Sequence, residues 1–351
     1  MAVLAADPPR VDDVLIRDVL EDYATQVRAG VDAWLAGVDE SPYLGPLLAD
    51  YPRRGGKMLR ATLCLAAAHA RGAAAGAAMP TAVAIELLHN ALLVHDDIED
   101  GSEQRRGIPT LHELHGVPLA LNAGTALMLH AHGPLWSNSE RLGGRLALRV
   151  VEEFHRMGLH AVEGQALELG WQRDNRTTVD ERDYLEMVRL KTCWQTTIHP
   201  LRVGVLIGSQ GADALDPFDL VGFFLGAAFQ IQDDLLNLEG GPDYGKEIDG
   251  DLREGKRTLM VVHALRHAAA AERGRLVEFL GLARADRSDG DVDWVRTLMD
   301  RTGALDAART TARALAGAAL SEFDRCTAHW PDSRDRRFLR QLVLWVVRRT
   351  H

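Results

Sequence analysis

An all-α bundle of many long helices is what this sequence predicts, on three observations. Apolar residues recur at spacings of three and four through most of the chain, alternating strand-like runs are scarce, and the breaks between periodic segments carry Gly and Pro. The composition agrees: 351 residues, 46% hydrophobic and 26% charged, suit an ordinary globular body with a substantial core. Length alone permits about two domains, but no linker interrupts the chain. Residues 16–351 are therefore read as one domain and 1–15 as a flexible start.

The elements follow in order. "VDDVLIRDVLEDYATQVRAGVDAWLAG" (11–37) has charges between apolar residues at helical spacing, the mark of an amphipathic helix. The Ala-rich tract 61–78 reads as a tightly packed helix running into a small-residue loop, since Ala favours helix and permits close approach. "TAVAIELLHNALLVHDDIED" (81–100) is apolar almost all round and is expected to cross the core. The same period recurs at 111–132, 145–169, 181–208, 218–239, 257–270 and 303–326, and the basic end "RDRRFLRQLVLWVVRRTH" reads as a closing helix. "DESPYLGP", "GAAAGAAMP" and "LEGGPDYG" supply short connections.

Charge and cysteine usage exclude several functions. A formal net charge of −10 opposes broad phosphate-backbone binding, so no nucleic acid partner is expected. Three scattered cysteines, Cys64, Cys193 and Cys326, lack CxxC spacing and suggest neither a disulfide framework nor zinc. The opening "MAVLAADPPR" has no basic n-region or long apolar core, and no run reaches about 18 apolar residues. A soluble, cytoplasmic protein without stable membrane insertion is expected.

The chemistry concentrates in "LLVHDDIEDGSEQRRG" (92–107). Asp96 and Asp100 stand one turn apart, with His89 two turns before Asp96 on about the same face. Ionised carboxylates this close repel, and each removed from water costs several kcal/mol unless compensated. A lysine neutralises one; divalent cations neutralise several. Hard oxygen donors favour Mg²⁺ or Ca²⁺, Mg²⁺ typically with one or two carboxylates, water and substrate phosphate. An acid-rich exposed helix end is the plainer alternative. Arg105 and Arg106 count against it, because guanidinium forks suit phosphate oxygens.

A second acidic helix, "GAAFQIQDDLLNLEG" (226–240), carries Gln230, Asp233, Asp234 and Asn237, and is followed by Lys246 and Lys256. Two such stripes facing one another, rimmed by basic residues, would shape a cavity for a polyphosphate. Upstream, "RRGGKMLR" (53–60) places Lys57 and Arg60 beside two glycines. It is not a nucleotide P-loop, because the first glycine is missing and Met58 follows the lysine.

Taken together these segments resemble the trans-isoprenyl diphosphate synthases, and geranylgeranyl diphosphate synthases most of all. The resemblance rests on "GGKMLR", "ELLHNALLVHDDIED" with "RRGIPTLH", "GQALELGW", "KT" at 191–192, "FQIQDDLLN" and "GKEIDGDLREGKRTL", in the family's order across about residues 50–260. It implies the isoprenoid synthase fold, about ten to thirteen helices around a central cavity, and by that family's pattern a homodimer. It also implies that Asp96, Asp100 and Asp233 bind three Mg²⁺. Arg105, Lys191, Thr192, Gln230, Lys246 and Lys256 would hold an allylic diphosphate (dimethylallyl, geranyl or farnesyl), with Asp234 and Asn237 in support. Lys57, Arg60, His89 and Arg106 would hold isopentenyl diphosphate. Asn237, where many relatives have aspartate, lowers the charge at one metal-facing position. Asp97 and Glu99 are left to supporting or solvent-facing roles.

Product length depends on how deep the pocket runs. Farnesyl synthases commonly block it with an aromatic residue four or five positions before the first aspartate, where this chain has Leu92 and Ala91. Met128 or His130 is expected to close a deeper pocket around a C20 product; farnesyl or C25 and longer products are the alternatives. A terpene cyclase or a non-catalytic partner subunit is a reading of another class, disfavoured because both acid clusters and the second diphosphate set are retained. "HELH" (112–115) lacks zinc-protease spacing, and Trp171, Trp194 and Trp345 are read as core residues.

Overall fold

A computed structural model of the chain describes residues 11–36, 41–240 and 247–348. The first helices are α1 (Asp13–Ala36), α2 (Gly45–Arg53), α3 (Leu59–Arg71) and α4 (Met79–Asp100). A two-residue hairpin, β1 (Gln104–Arg105) with β2 (Ile108–Pro109), follows. Then come α5 (Leu111–His115), α6 (Val117–His130), α7 (His132–Leu142), α8 (Gly144–Arg173) and α9 (Glu181–Val188). A π-helical stretch, Arg189–Ile198, joins α9 to α10 (His199–Gly208). The chain closes with α11 (Pro217–Glu239), α12 (Gly250–Glu254), α13 (Leu259–His267), α14 (Ala270–Gly281), α15 (Asp289–Thr302), α16 (Ala304–Cys326) and α17 (Arg334–Val346).

The all-α expectation holds, with more segments than the ten to thirteen expected. The helix expected over 111–132 is divided because Gly116, at φ 79° and ψ 154°, leaves helical geometry, and a proline-led turn starts α6 afresh. Regular structure begins before residue 16. The Asp12 carboxylate accepts from the Leu15 amide at 3.0 Å, so helix begins at Asp13. Ile16, Val19, Tyr23, Val27, Val31 and Leu35 then bury one face of α1.

One large core runs through the bundle, with a smaller cluster of Leu47, Tyr51, Val94, Leu111, Ala120 and Ala123 beside it. α3 lies against α10, and Ala61, Ala66, Ala67, Ala68 and Ala70 are fully buried, so the Ala-rich tract is packing rather than low complexity. α4 packs on α3 and α6; α11 packs on α16 and on the π-helical stretch. All three cysteines are free. No helix among the described residues is long and apolar enough to cross a membrane.

Candidate active site

A cavity of about 740 Å³ is bounded by the loop before α3, by α3, α4, α6, α8, the π-helical stretch, α11 and α17. α4 supplies one wall. His89, Leu92, Leu93, Asp96 and Glu99 line the cavity at intervals of three and four, as one face of a helix must. α11 supplies another through Phe229, Gln230, Asp233 and Leu236.

One part of the cavity gathers Lys57, Arg60, His89 and Arg106. Burial brings the Arg60 guanidinium down to about 10, against the pull of Glu86. Burial, then the charge of Arg60, holds His89 well below its usual range, so its imidazole is neutral. Arg60 Nη1 lies 3.3 Å from His89 Nε2. A guanidinium only donates, so Nε2 accepts and the ring proton sits on Nδ1. Arg60 Nε and His89 Nδ1 are both buried without a hydrogen-bond partner. Two buried N–H donors thus lack an acceptor of the chain's own, an arrangement suited to an anion. Arg106, at a left-handed φ of 58°, is turned inward and donates to the Gly55 carbonyl.

Asp96 and Asp233 line the same cavity. Burial would raise the Asp96 carboxyl, but Lys191, Lys256 and Arg105 together hold it below the ordinary carboxylate range. Lys191 Nζ is 3.2 Å from Asp96 and donates to Glu168. Asp100, one turn on, is paired with Lys256 at 2.7 Å, and its Oδ1 is buried without a partner. Burial and the neighbouring acids push Asp100 up to about 7 against Lys256. Lys256 also reaches Glu254 at 2.6 Å and lines a small side cavity with Glu168, Lys191 and Asp234. Among the described residues no three acidic, His or Cys side chains form a ready-made metal cage.

Lys191 and Thr192 come from the π-helical stretch, whose wider turn is a local departure common at functional sites. Close approach by α8 and α11 fixes it. A Cβ on Gly164 would stand 2.1 Å from the Lys191 backbone nitrogen, and one on Gly226 would stand 2.5 Å from Thr197 Oγ1. Thr192 Oγ1 donates to Gln230 Oε1 at 2.9 Å, and Gln230 Nε2 donates to Asp234 at 2.6 Å. Asp234 also accepts from Tyr184 at 2.9 Å.

Of the two roles left open for Asp97 the supporting one holds: it is fully buried, accepts from the Tyr51 hydroxyl and takes a two-pronged grip from Arg105. Arg105 lines the cavity but is held by that carboxylate. Glu99 accepts from Gln165 at 2.6 Å. Asn237 does not face the cavity. Its amide donates to the Glu247 carbonyl at 3.2 Å and accepts from the Asp251 amide at 3.0 Å, pinning the segment after α11. An aspartate could not donate there.

Of the pocket-depth residues, Leu92 and Met128 line the cavity, while Ala91 and His130 do not. Ala91 lies five residues before Asp96, about 140° off its face, and packs into the core; His130 is about 200° round α6 from Met128. Lys246 lies outside the described residues. Trp171 and Trp194 are buried as expected, but Trp345 lines the cavity, as do Leu20 and Val162, the latter 49% exposed. Sequence periodicity carried no signal for these three.

Comparison with known proteins comes to one family. The profile of the Polyprenyl synthetase family matches residues 42–299. The geranylgeranyl pyrophosphate synthase of Geoglobus acetivorans is 33% identical over 96% of this chain and all of that one. The geranylfarnesyl diphosphate synthase of Aeropyrum pernix is also 33% identical, over 85% of this chain and 91% of that one. The crystal structure of geranylgeranyl pyrophosphate synthetase from Pyrococcus horikoshii superposes with a TM-score of 0.84 at 30% identity, covering 96% and 99% of the two chains.

Proposed function

This chain belongs to the polyprenyl synthetase family and is a trans-prenyltransferase, and from that premise we propose that it condenses isopentenyl diphosphate with an allylic diphosphate, releasing a C20 product, geranylgeranyl diphosphate. The observation that carries the two-substrate reading is the pair of unpartnered buried donors, Arg60 Nε and His89 Nδ1, which line the cavity with Lys57 and Arg106. A cyclase handles a single diphosphate and has no use for that second set.

The acids suit magnesium. Asp96, Asp100 and Asp233 offer hard oxygen donors only, and Asp100 Oδ1 has no hydrogen-bond partner. Mg²⁺ needs no closed protein cage, since it typically takes one or two carboxylates with water and substrate phosphate. Those three aspartates would hold it, and when bound it would neutralise charge on the departing diphosphate.

The chain's own residues do the rest. Lys191, Thr192, Gln230 and Lys256 would grip the allylic diphosphate, their ammonium and amide donors stabilising charge as the C–O bond ionises to an allylic cation. Lys246 is assigned here by resemblance. Arg105 contributes positive charge while anchored by Asp97. Lys57, Arg60, His89 and Arg106 would orient isopentenyl diphosphate so that its double bond attacks the cation. A proton is then lost, to the released pyrophosphate, and no side-chain nucleophile takes part. The apolar walls, Leu92, Leu93, Met128 and Val162, exclude water from the cation and receive the growing chain.

Relatives named for C20 and C25 products are both 33% identical to this chain, so overall identity does not choose the length. The C20 reading rests on Leu92, smaller than the aromatic side chain that would block the pocket, and on Met128, which lines the same cavity from α6. A homodimer is supported by apolar side chains exposed along α5–α8, including Leu114, Leu121, Leu129, Trp136, Leu148 and Leu159. Incubation with Mg²⁺, labelled isopentenyl diphosphate and each allylic primer is the test. We expect label in a C20 diphosphate, and none after chelation. C15 or C25 products overturn the length. Consumption of the allylic substrate alone indicates a cyclase, and no reaction a non-catalytic subunit.

A further inference from the structure

Lys57 stands on an unusual piece of backbone. Gly55 and Gly56 have φ of 86° and 137°, and Met58, which follows the lysine, is left-handed at φ 48°. The lysine itself is exposed. A four-carbon stem carrying an ammonium on such a loop loses much rotamer freedom if it must meet one ligand in one geometry. A side chain that holds it in advance removes part of that cost.

Trp345 is placed to do this. The Lys57 ammonium lies over its ring, 5.4 Å from the centroid, within the range of a cation–π contact. The indole continues the buried stripe Phe338–Leu342 by one turn of α17 and reaches the cavity, where Leu20 of α1 also lies. α17 itself is firmly seated. Its start is capped by Ser333, whose hydroxyl accepts from the Arg336 amide at 3.1 Å. The Tyr23 hydroxyl, on α1, donates to Asp335 at 2.7 Å and meets His69 Nδ1, on α3, at 2.7 Å. The ring is therefore mounted on a fixed element, while the lysine it faces is on a loop.

We propose that Trp345 is a positioning residue for the second diphosphate: its indole face holds the Lys57 ammonium beside Arg60, His89 and Arg106. The inference rests on the two-substrate reading above. Because that reading gives Lys57 to isopentenyl diphosphate, Trp345 is expected to act on that substrate and not on the allylic one.

The test uses the full chain and steady-state kinetics with each substrate varied in turn. Trp345→Leu is expected to raise KM for isopentenyl diphosphate about tenfold, with KM for the allylic diphosphate and kcat within about twofold. Trp345→Phe, which keeps an aromatic face, is expected to recover most of the loss. In a Lys57→Ala background the further effect of Trp345→Leu should vanish, since the two act through one contact. If Trp345→Leu does not fold, Trp345→Met carries the same comparison. Equal shifts in both KM values, an unchanged isopentenyl KM, or additivity with Lys57→Ala overturns the proposal. Failure of the wild-type protein to incorporate isopentenyl diphosphate at all overturns the functional reading instead.

Discussion

Replacing Asp97 by asparagine keeps the shape of a fully buried side chain and removes the charge that holds Arg105. The Asp97 side chain is 0% exposed and that of Arg105 only 12%. Breaking such a pair typically costs about 3–5 kcal/mol, because the surviving charge is left buried and uncompensated. Asp96 lies 3.8 Å from the same guanidinium and can take up part of that charge, which favours the lower figure, about 3 kcal/mol. With an unfolding entropy of about 2.1 cal/mol/K per residue, a chain of 351 residues changes by about 0.7 kcal/mol per degree, so Tm should fall by about 4 °C. The allylic KM should rise as well, since Arg105 turns toward Asp96 and crowds the acids there. Scanning calorimetry and kinetics on Asp97→Asn, with Glu99→Gln as an exposed control, measure both. A melting point within about 1 °C of wild type would refute the assignment of Asp97 as the anchor of Arg105.

Other expectations are as direct. Gly164→Ala sets a methyl group against the backbone of Lys191; kcat should fall about a hundredfold through misplacement of that lysine, with helical circular dichroism retained. Gly124→Ala would press a Cβ to 2.5 Å from His95, a cavity-lining ring, and should shorten the product, whereas Met128→Ala should lengthen it; chromatography of the hydrolysed prenyl alcohols reads both. His199 is buried with both ring nitrogens unpartnered, and burial lowers it to about 3. Its folded pKa is depressed, so between pH 6.5 and 3 the unfolded chain takes up a proton that the folded chain refuses. Stability should therefore fall by about 1.4 kcal/mol per unit as pH drops below 6.5, and His199→Leu should lessen that slope in pH-dependent denaturant titrations.

The helices were legible because each buried one face and left an apolar period behind it; α1, α4, α8, α11 and α16 stand close to where that period places them. The acids of the two motifs were legible because charge beside apolar sequence is costly and so conspicuous, whereas Lys57, Arg60 and His89 drew a role only from the resemblance to the isoprenyl diphosphate synthases. What stayed hidden depended on partners distant in sequence. Asp97 differs from Asp96 only in meeting Tyr51 and Arg105. Asn237 is turned toward the carbonyl of Glu247, a residue of a different segment. The π-helical turn at Lys191 is closely approached by glycines on two other helices, and a helical apolar period does not disclose it. Ala91 and His130 stand off the cavity for a simpler reason: nearness in sequence to lining residues does not place a side chain on the same helical face.

Val162 lines the cavity and is nearly half exposed. Surface engineering of α8, such as a charged residue introduced there to improve handling, would therefore also edit the hydrocarbon channel, and a change chosen for solubility would be read out in the length of the product.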